Sequence, residues 1–275
     1  MATGLKKHSH KILMFCLTAI LCFGCSEENL KNLFNNDKTV EGLKAALTVG
    51  IENSVDKVRQ PGGYLNDIIK INLPEGAQST FAVINALQGN PVTNALLSSL
   101  NIQPNLENTL TVLINSAAED AAPKSVDIFT KAIKNMTIED GKTILFGTDH
   151  AATEYLERET YTQLQGAFEP SITASLNTVN IAGTTPVQAW QAVANINNSL
   201  SDLIDSNPLV SGALSLAKIS LKPMEPNLSN YVTGKALDGL FIKVADEELK
   251  IRTDVDFRVT PLLREIFGQL DNNEE

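Results

Sequence analysis

"TVEGLKAALTVGIENSVDKVR", residues 39–59, sets the fold class. Its apolar side chains Val40, Leu43, Leu47, Ile51, Val55 and Val58 recur every third or fourth residue, which places them on one face of a helix. Pro61-Gly62-Gly63 breaks the pattern, and the weak alternation from Tyr64 to Leu73 leaves room for one short extended segment before Pro74.

Helical periodicity continues down the chain. A region from Glu75 to Leu100 is expected to break near Gly89-Asn90-Pro91, and Pro104-Asn105 opens a helix carrying Leu106, Leu110, Leu113 and Ala117. Pro123 predicts a kink or a fresh start before Val126, Phe129 and Ile133. Thr137 to Asp140 reads as an N-cap with an acid at the third helical position, and Gly147 as a stop. Thr148 or Asp149 caps the next helix, with Tyr155, Leu156, Leu164 and Phe168 inward and Pro170 ending it. Thr185-Pro186 is a cap followed by a first-turn proline, opening a helix with Val187, Trp190, Val193 and Leu200. The prolines and glycine between Ser201 and Pro226 predict a loop or lid with a short helix inside. After it come a helix over 229–252 and a short one from Pro261 to Phe267. The expected fold is all-α: a single domain of about eight to ten amphipathic helices over residues 39–268, with a frayed tail at 269–275.

Upstream the chain changes character. Lys6, Lys7 and Lys11 precede an apolar run from Ile12 to Phe23, then Gly24-Cys25. The run is shorter than the roughly 20 residues a membrane-spanning helix needs, so it suits the core of a signal peptide over 1–24. Leu21-Cys22-Phe23-Gly24-Cys25 resembles a lipobox, with Cys22 standing where leucine is usual. That resemblance implies lipidation at Cys25 and a flexible tether over 25–38. Ser26-Glu27-Glu28 resembles the acidic tag that directs some bacterial lipoproteins to the cell surface. The expected location is the cell envelope, lipid-anchored to the outer membrane on its periplasmic or outer face.

Charge and composition narrow the chemistry. Cleavage before Cys25 removes three lysines and no acid, taking the formal charge from −10 to −13. Such a chain repels phosphate backbones and anionic head groups, so nucleic acid is a poor partner and membrane attachment depends on the lipid on Cys25. All three cysteines, Cys16, Cys22 and Cys25, lie in the first 25 residues, which excludes disulfides, thiol nucleophiles and cysteine-ligated metals from the domain. About 235 residues from Thr39 onward are enough for a core without such staples. His150 is the last histidine left after cleavage, so no histidine-pair metal site can form within one chain. The sequence contains no phosphate-binding loop, dinucleotide fingerprint, Gly-x-Ser-x-Gly elbow or His-Glu-x-x-His. No cofactor is expected.

Two stretches collect chemistry-bearing side chains. At 149–155, Asp149, His150, Thr153, Glu154 and Tyr155 crowd the start of a helix. His150 and Glu154 are spaced to pair, and the free N–H groups of the first turn can receive an anion. At 231–248, Tyr231, Thr233, Lys235, Asp238, Asp246, Glu247 and Glu248 share one helix. They read either as surface ion pairs or as carboxylates for a hard cation. Candidate ligand-binding residues are thus Asp149, Thr153, Tyr155, Tyr231, Lys235 and Asp238, and none is assigned as catalytic. Trp190 reads as a core anchor.

The segments "GLKAALTVGIENSVDKV" (42–58), "TDHAATEYLERETYTQL" (148–164), "LSNYVTGKALDGLFIKVADEELKIR" (228–252) and "TPLLREIFG" (260–268) resemble the bacterial envelope family catalogued as domain of unknown function 4197. The resemblance implies a mostly helical single domain behind a secretion or lipoprotein signal, and it carries no activity. His150 departs from the family's pattern, where an acid or other polar residue is usual, which argues against a catalytic histidine. The leading expectation is a non-enzymatic binding module for an envelope protein partner or an apolar ligand. The alternatives are a carboxylate-dependent hydrolase acting on envelope material and a stoichiometric scaffold.

Overall fold

A computed structural model describes residues 37–88, 105–178, 185–225 and 227–258, together with Pro261, Arg264, Glu265, Phe267 and Gly268. Residues 1–36, where a signal peptide and most of a tether are expected, the break expected near Gly89-Asn90-Pro91 and the tail at 269–275 lie outside the described residues. All regular structure among the described residues is helical. In chain order the helices are α1 (Asp37–Val58), α2 (Glu75–Leu87), α3 (Leu106–Ala121), α4 (Ser125–Asn135), α5 (Ile138–Leu145), α6 (Ala151–Thr178), α7 (Pro186–Ser206), α8 (Pro208–Leu216) and α9 (Leu228–Thr253). None of these helices is long and apolar enough to cross a membrane.

The stripe that opened the reading is the buried face of α1, with Val40, Leu43, Leu47, Ile51, Val55 and Val58 all inside the core. It lies against α9 and α4. The longest helices, α6 and α9, form the centre of the domain and run antiparallel, since Glu248 reaches Thr153 at one end while Phe241 stacks on Tyr161 further along. Phe241 also meets Phe129 of α4 edge-on at 5.8 Å, so three helices share one aromatic contact. Such side chains contribute about 1.5–3 kcal/mol each when fully buried, which is how the domain dispenses with disulfides. A second layer, α2, α7 and α8, packs through α3 and the end of α6. Trp190 anchors it, buried, with its Nε1 donating to the Glu225 carbonyl at 3.2 Å.

Two of the capping signals do what their chemistry predicts. Thr137 with Asp140, and Thr185 with Gln188, each form a reciprocal capping box. Pro123 sits in a single 3₁₀ turn, Ala122–Lys124, from which α4 starts afresh. The Ser201–Pro226 region keeps more helix than loop: α7 continues to Ser206 and α8 is the short helix expected inside it.

Two expectations change. Pro170 does not end its helix; α6 runs on to Thr178. Leu164, Phe168, Ile172 and Leu176 continue the buried stripe across the proline, while Pro170 and Gly166, whose carbonyl loses its donor, lie on the exposed side where water can satisfy it. The Tyr64–Leu73 segment contains no strand. It is a series of turns closed by bonds such as Asn66 N–H to Gly62 C=O at 2.9 Å. Beyond them, Ile71 has its N–H and C=O taken by the side-chain amide of buried Asn115, both at 2.8 Å. One amide from α3 thus supplies the two bonds a neighbouring strand would have given. The same segment approaches α9 closely at Gly239, where a Cβ would stand 2.9 Å from the Tyr64 ring. There Tyr64 donates its hydroxyl to the Ala236 carbonyl at 2.8 Å.

Candidate functional site

The first turn of α6 receives an anion, and that anion belongs to the chain itself. Glu248 of α9 accepts from Ala152 N–H at 2.9 Å, Thr153 N–H at 2.8 Å and Thr153 Oγ1 at 2.8 Å. This carboxylate fills the place that the sequence offered to a ligand, and Thr153 is spent on it. Arg252, one turn on, holds the Glu248 carboxylate at 2.8 Å and turns the rest of its guanidinium to the Ile144 carbonyl at 2.7 Å, closing the end of α5. Asp149 and His150 remain exposed outside this clamp, and His150 forms no ion pair with Glu154. Their spacing is that of a capped helix start.

The α9 carboxylates are likewise committed to cations. Asp246 faces Lys243, which also bonds Asp67 at 2.7 Å from the turn segment. Glu247, almost fully buried, binds Lys57 of α1 and Lys250 at 3.0 Å. Burial pushes the Glu247 carboxyl up, but the two lysines outweigh it and hold it below the usual carboxylate range. Among the described residues no group of three or more histidine, cysteine or acidic side chains is placed to hold a metal ion. Of the two arrangements the sequence allows on this helix, these carboxylates adopt the ion pairs.

Tyr231, Lys235 and Asp238 occupy the opposite half of α9. The Tyr231 hydroxyl donates to the Asn72 carbonyl at 3.1 Å, tying the helix to the turn segment. Lys235 and Asp238 pair with each other at 3.0 Å, half-exposed, a surface contact of small energetic weight. At 1.5 Å of rise per residue, Asp238 lies about 15 Å along α9 from Glu248 and the start of α6. The structure does not join the two candidate clusters.

Tyr155 leads elsewhere. It lines a half-open groove of about 340 Å³ between α4, α5 and α6. From α4 come Ile128, Lys131, Ala132 and Asn135, at the spacing of one helix face; from α6 come Tyr155, Glu159, Thr160 and Gln163; α5 contributes Asp140 from its capping box. The Tyr155 ring is buried beneath the Arg158 guanidinium at 5.2 Å, and Arg158 bonds Glu159 at 2.9 Å. Burial holds the Tyr155 hydroxyl above its ordinary pKa, and the nearby Asp140 and Glu159 carboxylates push in the same direction. The Asp140 carboxyl is held low by the Thr137 hydroxyl and N–H, at 2.7 and 2.9 Å. Neither group changes charge near neutral pH, and the groove sets them among donors and acceptors carried on three packed helices.

Only Tyr155 of the six sequence candidates reaches this groove. In the sequence Lys131, Asn135, Glu159 and Gln163 read as ordinary helix surface, and Asp140 reads only as a helix cap. The available signal was a polar stripe on each helix at four-residue spacing, and which stripes face each other is decided by packing. No curated protein and no solved structure matches the chain. The family model described as "Protein of unknown function (DUF4197)" matches residues 33–268, taking in every helix described above, and the chain belongs to that family.

Proposed function

We propose that this protein is a lipid-anchored component of the bacterial cell envelope that acts by binding, with the groove between α4, α5 and α6 as its binding face. The observation that carries the reading is the groove's chemistry. Mixed polar side chains are fixed on helices, with Asp140 held as the anion and Tyr155 as the phenol, a set suited to hydrogen bonding rather than to moving protons. The lining favours a polar ligand over the apolar one first expected. The apolar pocket between α1, α6 and α9, lined by Leu47, Ile51, Leu156 and Val244, has only about 20 Å³, room for no more than a water. The hydrolase alternative draws no support from Asp140, whose capping bonds to Thr137 hold it ionised and suit it to accepting hydrogen bonds rather than to supplying a proton. Attachment to the membrane rests on Cys25 and the lipobox-like residues before it.

Two measurements test this. Labelled palmitate fed to cells should enter the wild-type chain and not the Cys25→Ser variant, which should leave the membrane fraction; an unlabelled wild-type chain refutes the anchor. Native mass spectrometry of the gently purified protein should show an added mass lost on denaturation and lost in Tyr155→Ala. An added mass that Tyr155→Ala retains would move the binding face away from the groove.

A further inference from the structure

The groove sorts its charges by sign. Lys131 stands on the α4 wall, while Asp140 and Glu159 come from α5 and α6. Among the described residues Lys131 forms no ion pair, although two carboxylates line the same cavity. Each carboxylate keeps one oxygen outside its known bonds. Asp140 uses Oδ2 for both contacts to Thr137 and leaves Oδ1, and Glu159 uses Oε1 for Arg158 and leaves Oε2. Opposed charges that line one cavity without closing on each other are complementary to a molecule carrying both signs. The side-chain amides of Asn135 and Gln163 add paired donors and acceptors, the pattern that a peptide bond satisfies. Ile128 and Ala132 supply a small apolar area on the same wall as Lys131.

We infer that the groove binds a zwitterionic amino acid or short peptide, its carboxylate on Lys131 and its ammonium between Asp140 and Glu159. The inference rests on the groove being the binding face proposed above. The cavity has room for one amino acid or a dipeptide. The groove faces solvent on one side, so the charged contacts stay open to ions and binding should fall with ionic strength.

The test is isothermal titration calorimetry of the full chain in detergent micelles, with dialanine, dialanine amide, N-acetyl-dialanine and the doubly blocked N-acetyl-dialanine amide as probes. Dialanine should bind, and the doubly blocked compound about tenfold more weakly or worse. Lys131→Met should weaken dialanine about tenfold while leaving dialanine amide unchanged, and Glu159→Gln should weaken dialanine while leaving N-acetyl-dialanine unchanged. Both variants alter exposed side chains, and circular dichroism checks that they fold. Equal affinity for blocked and unblocked dipeptides would overturn the zwitterion assignment and leave the groove as a binding face. No heat with dialanine or with free alanine, leucine and lysine, at roughly 10 mM each, would overturn the ligand class. The binding-face reading falls only if the added mass in native spectra is indifferent to Tyr155→Ala.

Discussion

Glu248 and Arg252, one turn apart on α9, close the ends of two other helices at once: the carboxylate caps the start of α6 and the guanidinium caps the end of α5. Both side chains are nearly buried. Removing one member therefore strands the other charge and uncaps a helix. Glu248→Ala should cost about 3–5 kcal/mol in urea denaturation, while the double variant Glu248→Leu, Arg252→Leu should cost less than the two single changes added together. Strict additivity would mean that the two groups act independently.

Asn115 holds Ile71 by both backbone groups. Asn115→Leu keeps the size of the side chain but leaves a buried N–H and C=O without partners, so a loss of about 2–3 kcal/mol is expected. Hydrogen exchange supplies the local readout: the Ile71 amide should exchange much faster in the variant. Unchanged protection there would show that another group takes over.

Pro170 lies in the interior of α6 on its exposed side. Pro170→Ala restores one backbone bond to Gly166 and relieves the ring's clash with that carbonyl, at the expense of a more flexible unfolded chain. A net gain of about 1–2 kcal/mol in unfolding free energy is expected, visible as a higher melting temperature. A loss would mean that the packing of α6 depends on the proline.

The Glu247 carboxyl is held below its ordinary value of 4.5 in the folded protein, through Lys57 and Lys250. Below that value the unfolded chain takes up a proton that the folded chain refuses. Stability from this group is therefore complete above 4.5 and lost as the pH falls through the folded-state pKa. Denaturation between about pH 6 and about pH 3 should show this decline, and Glu247→Gln should make it shallower. An identical slope in the two proteins would place the acid sensitivity on other carboxylates.

The fold was legible where local chemistry decides it. Helix α1 follows from six apolar residues, and α5 and α7 from capping boxes spelled out in three or four letters. Pro170 misleads because a proline's local cost is outweighed by Ile172 and Leu176, whose burial lies beyond it and carries the helix through. The turn segment misled because Asn115, more than forty residues away, settles the backbone bonds of Ile71. The candidate site was legible to a smaller degree. Thr153 sits at an anion-receptive helix start that the sequence marks, but the anion, Glu248, is distant in sequence. Tyr155 stands out in the sequence for its neighbours along the chain, whereas the residues that line the groove with it include Lys131, Asn135 and Asp140 on other helices.

The side-chain hold on Ile71 also bears on how this protein behaves when crowded. A non-helical stretch in a helical domain is where a stray chain can add itself as a strand, because its backbone groups point outward unspent. Here the Ile71 N–H and C=O go to Asn115, the Lys70 N–H to the Asp67 carbonyl and the Asn72 C=O to the Tyr231 hydroxyl. With these four groups spent inside the domain, less edge is left at this segment for a stray strand to pair with, and one asparagine and one tyrosine take three of the four.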